Sequence, residues 1–497
     1  MKRAMTALTI RRRTLLVAAA MALTGCAAGP DFERPAAPEG ARYQAGTGPR
    51  DTVAALGERQ HFDTDATLPA DWWRQFGSPA LDRLVEQALA HSPTADAARA
   101  ALLESEDDLR AGLGLFYPSM AIEGAAARER SSPALQGQTA SHGSVFKLLT
   151  LSGSVSYTID LFGHDRRVVE GFVARRDEAD QRRRAAYLSL SANVVTTALA
   201  RAAYAEQLQL EEDLLALQER QLALDETQVR AGIAGFAVAA QQAMVVDATS
   251  AEVAALRQRQ SQSAHLLAAL VGCSPGELPP NDIRLAALHL PTQLPLVLPS
   301  GLVRWRPDIL VAEAQLHQAS AAIGVATADL YPHISLTGSY GGASDRFGSL
   351  SQANGRFWSV GPNVSLPVFA GGSLVAARDA ALEAYRQALD QYRQTVLNAF
   401  AQVADSLDAL GHDARQLQAD GDAARLAADQ LALLRANEGA GLVAGTDVLA
   451  ADIALHQAEV VRLGALAQRQ QDTVALFAAV GGGWQVDPAA RSGGGAP

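Results

Sequence analysis

Four short runs of this sequence hold side chains at spacings that chemistry uses. Gly439-Ala-Gly441-Leu-Val-Ala-Gly445 has the glycine spacing of a dinucleotide loop, where open backbone cradles a pyrophosphate at a helix N-terminus. That use needs a strand in front, and a helical pattern precedes it here. Ser144-Val-Phe-Lys147 has the Ser-x-x-Lys form of penicillin-recognising enzymes, but it lies between strand-like stretches without the partner motifs. Asp63-Thr-Asp65 offers oxygen ligands to a metal, yet no further acids cluster beside it. The ten histidines are scattered, with no His-Glu-x-x-His run. No nucleophile, base and orienting group can be assembled from spacing, so the expectation is a non-enzyme without a metal. The fourth run, Leu23-Thr24-Gly25-Cys26, bears a thiol.

Arg11–Arg13, the short apolar stretch Thr14–Leu23 and two small residues compose a secretory signal over residues 1–25. The apolar stretch is too short to span a bilayer, which takes about 20 residues. The run ending at Cys26 resembles the bacterial lipobox. The resemblance implies that Cys26 is acylated, becomes the mature N-terminus and is the only covalent cofactor site. Small residues let the chain enter a peptidase, and the thiol is the nucleophile for the lipid. Ala27 after the cysteine implies sorting to the outer membrane. Cys273 is then the one remaining thiol, no intrachain disulfide is available, and a small core role is expected for it.

The elements that carry these runs follow from composition and repeats. The chain has 497 residues, 48% hydrophobic and only 5% aromatic, so its core is built from Ala, Leu and Val. Removing the five basic residues of the signal from the chain's 42 leaves 37 against 53 acidic residues, a formal charge of −16. That balance excludes a nucleic-acid protein, which would show a basic face. Residues 26–70 are Pro-, Gly- and Ala-rich and read as an extended, lipidated tether. The remainder is one unit written twice. Pro93 to Pro118 and Pro307 to Pro332 are both 25 residues, and Gly124 and Gly338 each follow six residues later. Ala231-Gly232 matches Ala440-Gly441, and Val271-Gly272 matches Val480-Gly481, both at an offset of 209. The copies occupy 71–280 and 307–484, joined by a Pro-rich crossover over 281–306, with a flexible tail at 485–497.

Each copy reads as a helix, two strands, one very long helix, a glycine turn and a shorter helix. From Leu149 to Leu161, apolar or glycine residues alternate with polar ones. Ile334, Leu336 and Tyr340 alternate with Ser335, Thr337 and Ser339, and Trp358, Val360 and Val364 with Ser359, Gly361 and Asn363. Such a strand has one apolar and one wet face. About 9–11 residues match a tilted bilayer crossing, although a soluble two-faced hairpin has the same pattern. Four strands cannot close a barrel, whose smallest common form has about eight. Between Gly163 and Gly232, and between Gly372 and Gly439, no proline interrupts the helical pattern. Leu208, Leu215, Leu222 and Val229 form one seven-spaced ladder, and Leu210, Leu217 and Leu224 another on nearly the opposite face. Two stripes suit a helix with a neighbour on each side, as in a tube of coiled helices; a helix inside a solid bundle is the alternative.

Gly29-Pro-Asp-Phe-Glu-Arg-Pro35, Asp71-Trp-Trp-Arg-Gln-Phe-Gly-Ser-Pro-Ala-Leu81, Arg306-Pro-Asp-Ile309, Tyr331-Pro332, Leu366-Pro-Val-Phe369 and Val480-Gly-Gly-Gly-Trp484 span most of the mature chain. In these runs it resembles the outer-membrane channel lipoproteins of tripartite multidrug efflux systems, the nodulation-protein-T-like branch of the outer membrane factors. The resemblance implies a mixed fold: all-α regions plus a membrane β region. Two tandem repeats supply four strands of a shared 12-stranded trimeric barrel and a long periplasmic α-helical barrel. It further implies a homotrimer that meets a periplasmic membrane-fusion adaptor and an inner-membrane RND-type pump. Solutes would pass through it passively to the exterior. Gly232, Gly235, Gly441 and Gly445 map to the adaptor-contacting tips, where glycine suits a reversal with φ > 0. Asp447 matches an inward aperture carboxylate. Many relatives carry a second acid three residues on, where this chain has Ala450, and Asp452 lies on another face. A ring of carboxylates would favour cations in a narrow pore. Two other roles fit less well. One is the duct of a type I protein secretion system, which the lipid-bearing Cys26 disfavours. The other is a pore-free periplasmic coiled-coil scaffold, which the alternating strands disfavour.

Overall fold

The computed structural model describes residues 27–36, 43, 50–64, 66, 68–130, 144–279, 283–297 and 299–483. In chain order the elements are β1 (His61–Asp63), α1 (Pro79–His91), α2 (Pro93–Leu113), β2 (Ser119–Arg130), β3 (Val145–Ile159), α3 (His164–Arg230) and α4 (Phe236–Val271). There follow β4 (Gln293–Pro295), α5 (Pro299–Trp305), α6 (Pro307–Ala328), β5 (His333–Ser344), β6 (Arg356–Ser365), α7 (Ser373–Gly439) and α8 (Gly445–Ala479). The order helix, strand, strand, long helix, shorter helix occurs twice. Helices α3 and α7 are each 67 residues long, on the order of 100 Å at the α-helical rise. Two compact units cut across both copies. One holds the described residues within Met1–Arg34, Leu103–Glu178 and Ala312–Tyr392; the other holds Pro35–Leu102, Ala179–Val311 and Arg393–Pro497.

The first unit contains an antiparallel sheet in the order β2-β3-β5-β6. Its register sorts the side chains cleanly. Ile122 lies opposite Gly153, Val155 opposite Gly338, Tyr157 opposite Leu336, Tyr340 opposite Trp358 and Ile334 opposite Val364, all on one face. The other face carries Ser152, Ser154, Ser156, Thr337, Ser339 and Ser359, where the Ser339 and Ser359 hydroxyls hydrogen-bond at 2.8 Å. Apart from the loop residues Leu350 and Ser351, which close over Gly342, the apolar face is bare among the described residues: Ile122 is 84% and Trp358 72% exposed. A continuous apolar face of this size needs an apolar solvent.

In the second unit the Asp71-Trp-Trp run makes the core. Trp72 and Phe76 are fully buried, and Trp72 packs on Phe477 at 5.6 Å between ring centroids. The tether is more structured here than its composition suggested. Its β1 pairs in parallel with β4 of the crossover, because Gln60 is buried and bonds both sides: its amide donates to Pro291 O (3.2 Å) and Thr473 Oγ1 (2.9 Å). In the last part of α3, beyond Ala203, the buried seam is Leu214, Gln218 and Asp225. The two leucine ladders flank it, with Leu208, Leu215 and Leu222 half-buried and Leu224 exposed. Cys273 is half-exposed rather than in the core, since Gly272, at φ +86°, has already ended α4.

Candidate functional site: helix tips and tether clamp

Both long helices end in the same reversal. At the first tip Gly232 N–H donates to Val229 O (3.0 Å) and Ile233 N–H to Gln228 O (2.9 Å). At the second, Gly441 N–H donates to Glu438 O (2.8 Å) and Leu442 N–H to Asn437 O (2.9 Å). These are the two bonds of a Schellman motif, which needs a left-handed residue after the cap. Gly232 (φ +74°) and Gly441 (φ +73°) supply it. The other two tip glycines do not have positive φ, contrary to the expectation for the turn. Gly235 is an extended N-cap at φ −77°, and Gly445 is the first residue of α8. Their contribution is a missing side chain: a Cβ on Gly445 would sit 3.0 Å from Glu438 Oε1.

The tips hold apolar side chains in the open. Ile233 and Phe236 are each 78% exposed, and Leu442 is 73% exposed. Sequence reasoning chose the glycines and passed over these three, although apolar residues in a polar turn were a readable signal. The two aperture candidates also separate. Asp447 is exposed and its Oδ2 accepts from Ala444 N–H at 3.2 Å, at the positive end of α8. Asp452 is partly buried and its Oδ2 pairs with Arg435 Nη2 at 2.9 Å, across the hairpin. His456 leans on the same acid, 3.6 Å from Oδ1. Asp452 is thus a neutralised strut, and Asp447 keeps an open charge.

Cys26 lies outside the described residues, but the segment after it is clamped. Ala28 N–H donates to Phe162 O (2.8 Å), just past the end of β3. Arg167, in the first turn of α3, donates from Nε to Ala28 O (3.2 Å) and pairs through Nη2 with Asp31 (2.8 Å). Its Nη1 pairs with Glu170 (2.7 Å), which in turn meets His317 at 2.9 Å, and Phe32 stacks on His317 at 4.3 Å. The hydrogen bond from His317, then that from Arg167, hold the Glu170 carboxyl below its ordinary value against the opposing effect of burial. Gly29 can lie on α6 only because it has no side chain: its Cβ would be 2.5 Å from Gly324 Cα, while a Cβ on Gly324 would meet Arg167 Cγ at 2.6 Å. The Gly29–Pro35 run is therefore a docking sequence. In the second unit Arg306 plays a comparable structural part, donating to Ala399 O, Ala479 O and Asp308 Oδ1.

A sheet with one bare apolar face, in the same chain as 67-residue helices with exposed tips, defines a membrane-channel subunit of mixed β and helical build. The profile of the family described as outer membrane efflux protein matches residues 84–272 and 298–482. The chain belongs to this family. It is 28% identical over 471 residues to the probable efflux pump outer membrane protein TtgC of Pseudomonas putida KT2440, covering 94% of this chain and 95% of that one. It is 29% identical over 468 residues to the cation efflux system protein CusC of Escherichia coli O6:H1, covering 94% and 97%. Among solved structures, the outer-membrane channel OprN superposes with a TM-score of 0.78 at 26% identity, over 92% of this chain and all of that one. The protein is an outer-membrane efflux channel that extends into the periplasm.

Proposed function

We propose that three copies of this chain form one duct through which drugs or other small solutes pass passively, driven by an inner-membrane RND-type pump. The observation that carries this reading is the open sheet. Strands β2 and β6 each have one neighbour among the described residues, while the shared apolar face demands lipid. Closing it takes strands from other copies, and three copies give twelve. Lipid on Cys26 would enter the membrane beside the ends of the strands, where the clamp holds Ala28. The exposed tips meet a periplasmic adaptor, and Asp447 rings the aperture. The domain plan follows: a signal, a lipidated tether and two intertwined repeats.

The test is planar-bilayer conductance of the purified protein, together with its mass in detergent by light scattering. The expected result is a trimer with cation-preferring single-channel events. A monomer that stays silent after its tips are truncated overturns the reading.

A further inference from the structure

The apolar face of the sheet ends in cations. By register, Arg128 and Arg130 of β2 and Lys147 of β3 stand on the same face as Ile122 and Val155, and Arg356 of β6 stands there too. They lie toward the loop end of the sheet, away from the ends where α3 and α7 leave. Arg128 is directly opposite Lys147. Like charges so placed repel and destabilise the strand pair, and an anion between them would relieve the repulsion. None of the described residues nearby provides one. Among the described residues Arg128, Arg130 and Lys147 make no ion pair, Glu129 points to the opposite face, and the 131–143 segment contains no acid.

Below this level the same face holds a cavity of about 700 Å³, lined by Met120, Ile122, Leu151, Val155, Tyr340 and Arg356 among others. Its lining is apolar apart from Arg356 and a few small polar residues. Arg356 is fixed at its rim by two bonds to Ser351 O, at 3.2 and 3.0 Å. Tyr340 and Trp358, paired just below Arg356, mark the depth at which aromatic rings sit between chains and headgroups. Arg356 is level with the Gly124–Leu151 pair, four residues or about 13 Å along the strands from the Arg128–Lys147 pair, and stands two strands, about 10 Å, across from Lys147.

We propose that this face is a binding site for a phosphorylated glycolipid of the outer leaflet. An acyl chain fills the cavity, one headgroup phosphate meets Arg356, and a second bridges Arg128 and Lys147. The long Arg and Lys side chains lean inward across that separation toward two phosphates at the ends of a disaccharide, a pair of charges that a single phosphodiester does not supply. The proposal rests on the strands crossing the outer membrane and is independent of what the channel conducts.

Native mass spectrometry of the full chain in a non-ionic detergent, titrated with bis-phosphorylated lipid A, phosphatidylglycerol or phosphatidylcholine, tests it. Lipid A adducts are expected at about tenfold or more over phosphatidylcholine, since each cation near an anionic headgroup contributes about fivefold. R128E should lower lipid A retention about tenfold while raising thermal stability, because it turns the repulsive Arg128–Lys147 pair into an attractive one; that gain shows the barrel is folded. Gly153→Leu, which fills the cavity from its floor, should weaken every acyl lipid alike. Three results would overturn the proposal: unchanged lipid A retention in R128E, equal retention of phosphatidylglycerol and lipid A, or no effect of Gly153→Leu. Channel conductance measured in parallel separates a failed lipid site from a failed channel.

Discussion

The two helical hairpins share a backbone and differ in charge. At the offset of 209 residues, Gly232 corresponds to Gly441, Ile233 to Leu442 and the N-cap Gly235 to the N-cap Ala444. Val238 corresponds to Asp447. The first hairpin therefore presents Ile233 and Phe236 with no acid in the first turn of α4, whereas the second presents Leu442 and an open carboxylate. The difference teaches that one reversal geometry carries two surfaces, apolar area at the first tip and an open carboxylate at the second, which on the proposed reading serve a partner and a pore respectively.

The comparison breaks most visibly at the apolar side chains. Burying an exposed Ile or Phe contributes about 1.5–3 kcal/mol, and such anchors dominate binding when they reach a pocket. I233D/F236D should therefore weaken adaptor binding by on the order of 100-fold and return a complemented deletion strain to the drug sensitivity of the deletion. L442D should do distinctly less. Site-specific cross-linking to the adaptor measures both, and equal losses from the two tips would erase the proposed division.

The charge side is tested by exchange. D447N keeps the shape and removes the ring of charge, so cation selectivity in planar bilayers should fall toward neutrality. Val238→Asp adds a second ring in the matching position and should raise selectivity in the channel that retains Asp447. A Val238→Asp channel identical to the parent would mean that position on the hairpin, and not charge alone, sets the field. Smaller again is the effect of Arg435. Its pair with Asp452 is half exposed, and such pairs contribute about 0.2–1 kcal/mol. R435Q should cost the tip little stability but free Asp452, giving a modest rise in cation selectivity that D452N/R435Q abolishes.

These contrasts also mark how far the sequence could be read. Period-two alternation from Leu149 to Leu161 and the proline-free interval from Gly163 to Gly232 exposed strands and long helices, because both patterns are local. The positive φ of Gly232 and Gly441 was legible for the same reason. Which strand residues share a face across Met120, Val155, Leu336 and Trp358 was not, since register is a non-local choice. Asp452 could not be told from Asp447, because its partner Arg435 lies 17 residues back on another helix. The clamp on Gly29 was hidden for a stronger reason: Arg167, Gly324 and His317 meet it from two other helices. Motifs at Asp71–Leu81 and Arg306–Asp308 marked the family correctly while serving packing rather than transport.

The charge difference between the copies extends below the tips, and its smallest consequence depends on pH. In the second copy Asp413, Asp472 and Arg469 come together in the buried middle of the hairpin; the corresponding residues of the first are Tyr204, Ser263 and Gln260. Arg469 is fully buried and donates from Nε to Gln60 Oε1 at 3.1 Å, which ties the tether to α8. Burial, reinforced by the hydrogen-bonded Asp472, pushes Asp413 up to about 7, against the attraction of Arg469. The sign follows from proton binding. Between the ordinary carboxylate value and about 7, the folded chain keeps a proton that the unfolded chain has released. Stability therefore declines as pH rises through that window and is fully penalised above it. D413N removes the titration while keeping the shape. It should leave the melting temperature nearly unchanged at pH 4 and raise it by about 2–5 °C at pH 8, measured by scanning fluorimetry in detergent. Y204F, at the matching place in the first copy, should show no such pH-dependent gain. Equal shifts for D413N at both pH values would mean that the second copy tolerates its buried charge without cost, and that charge separates the copies only at the tips.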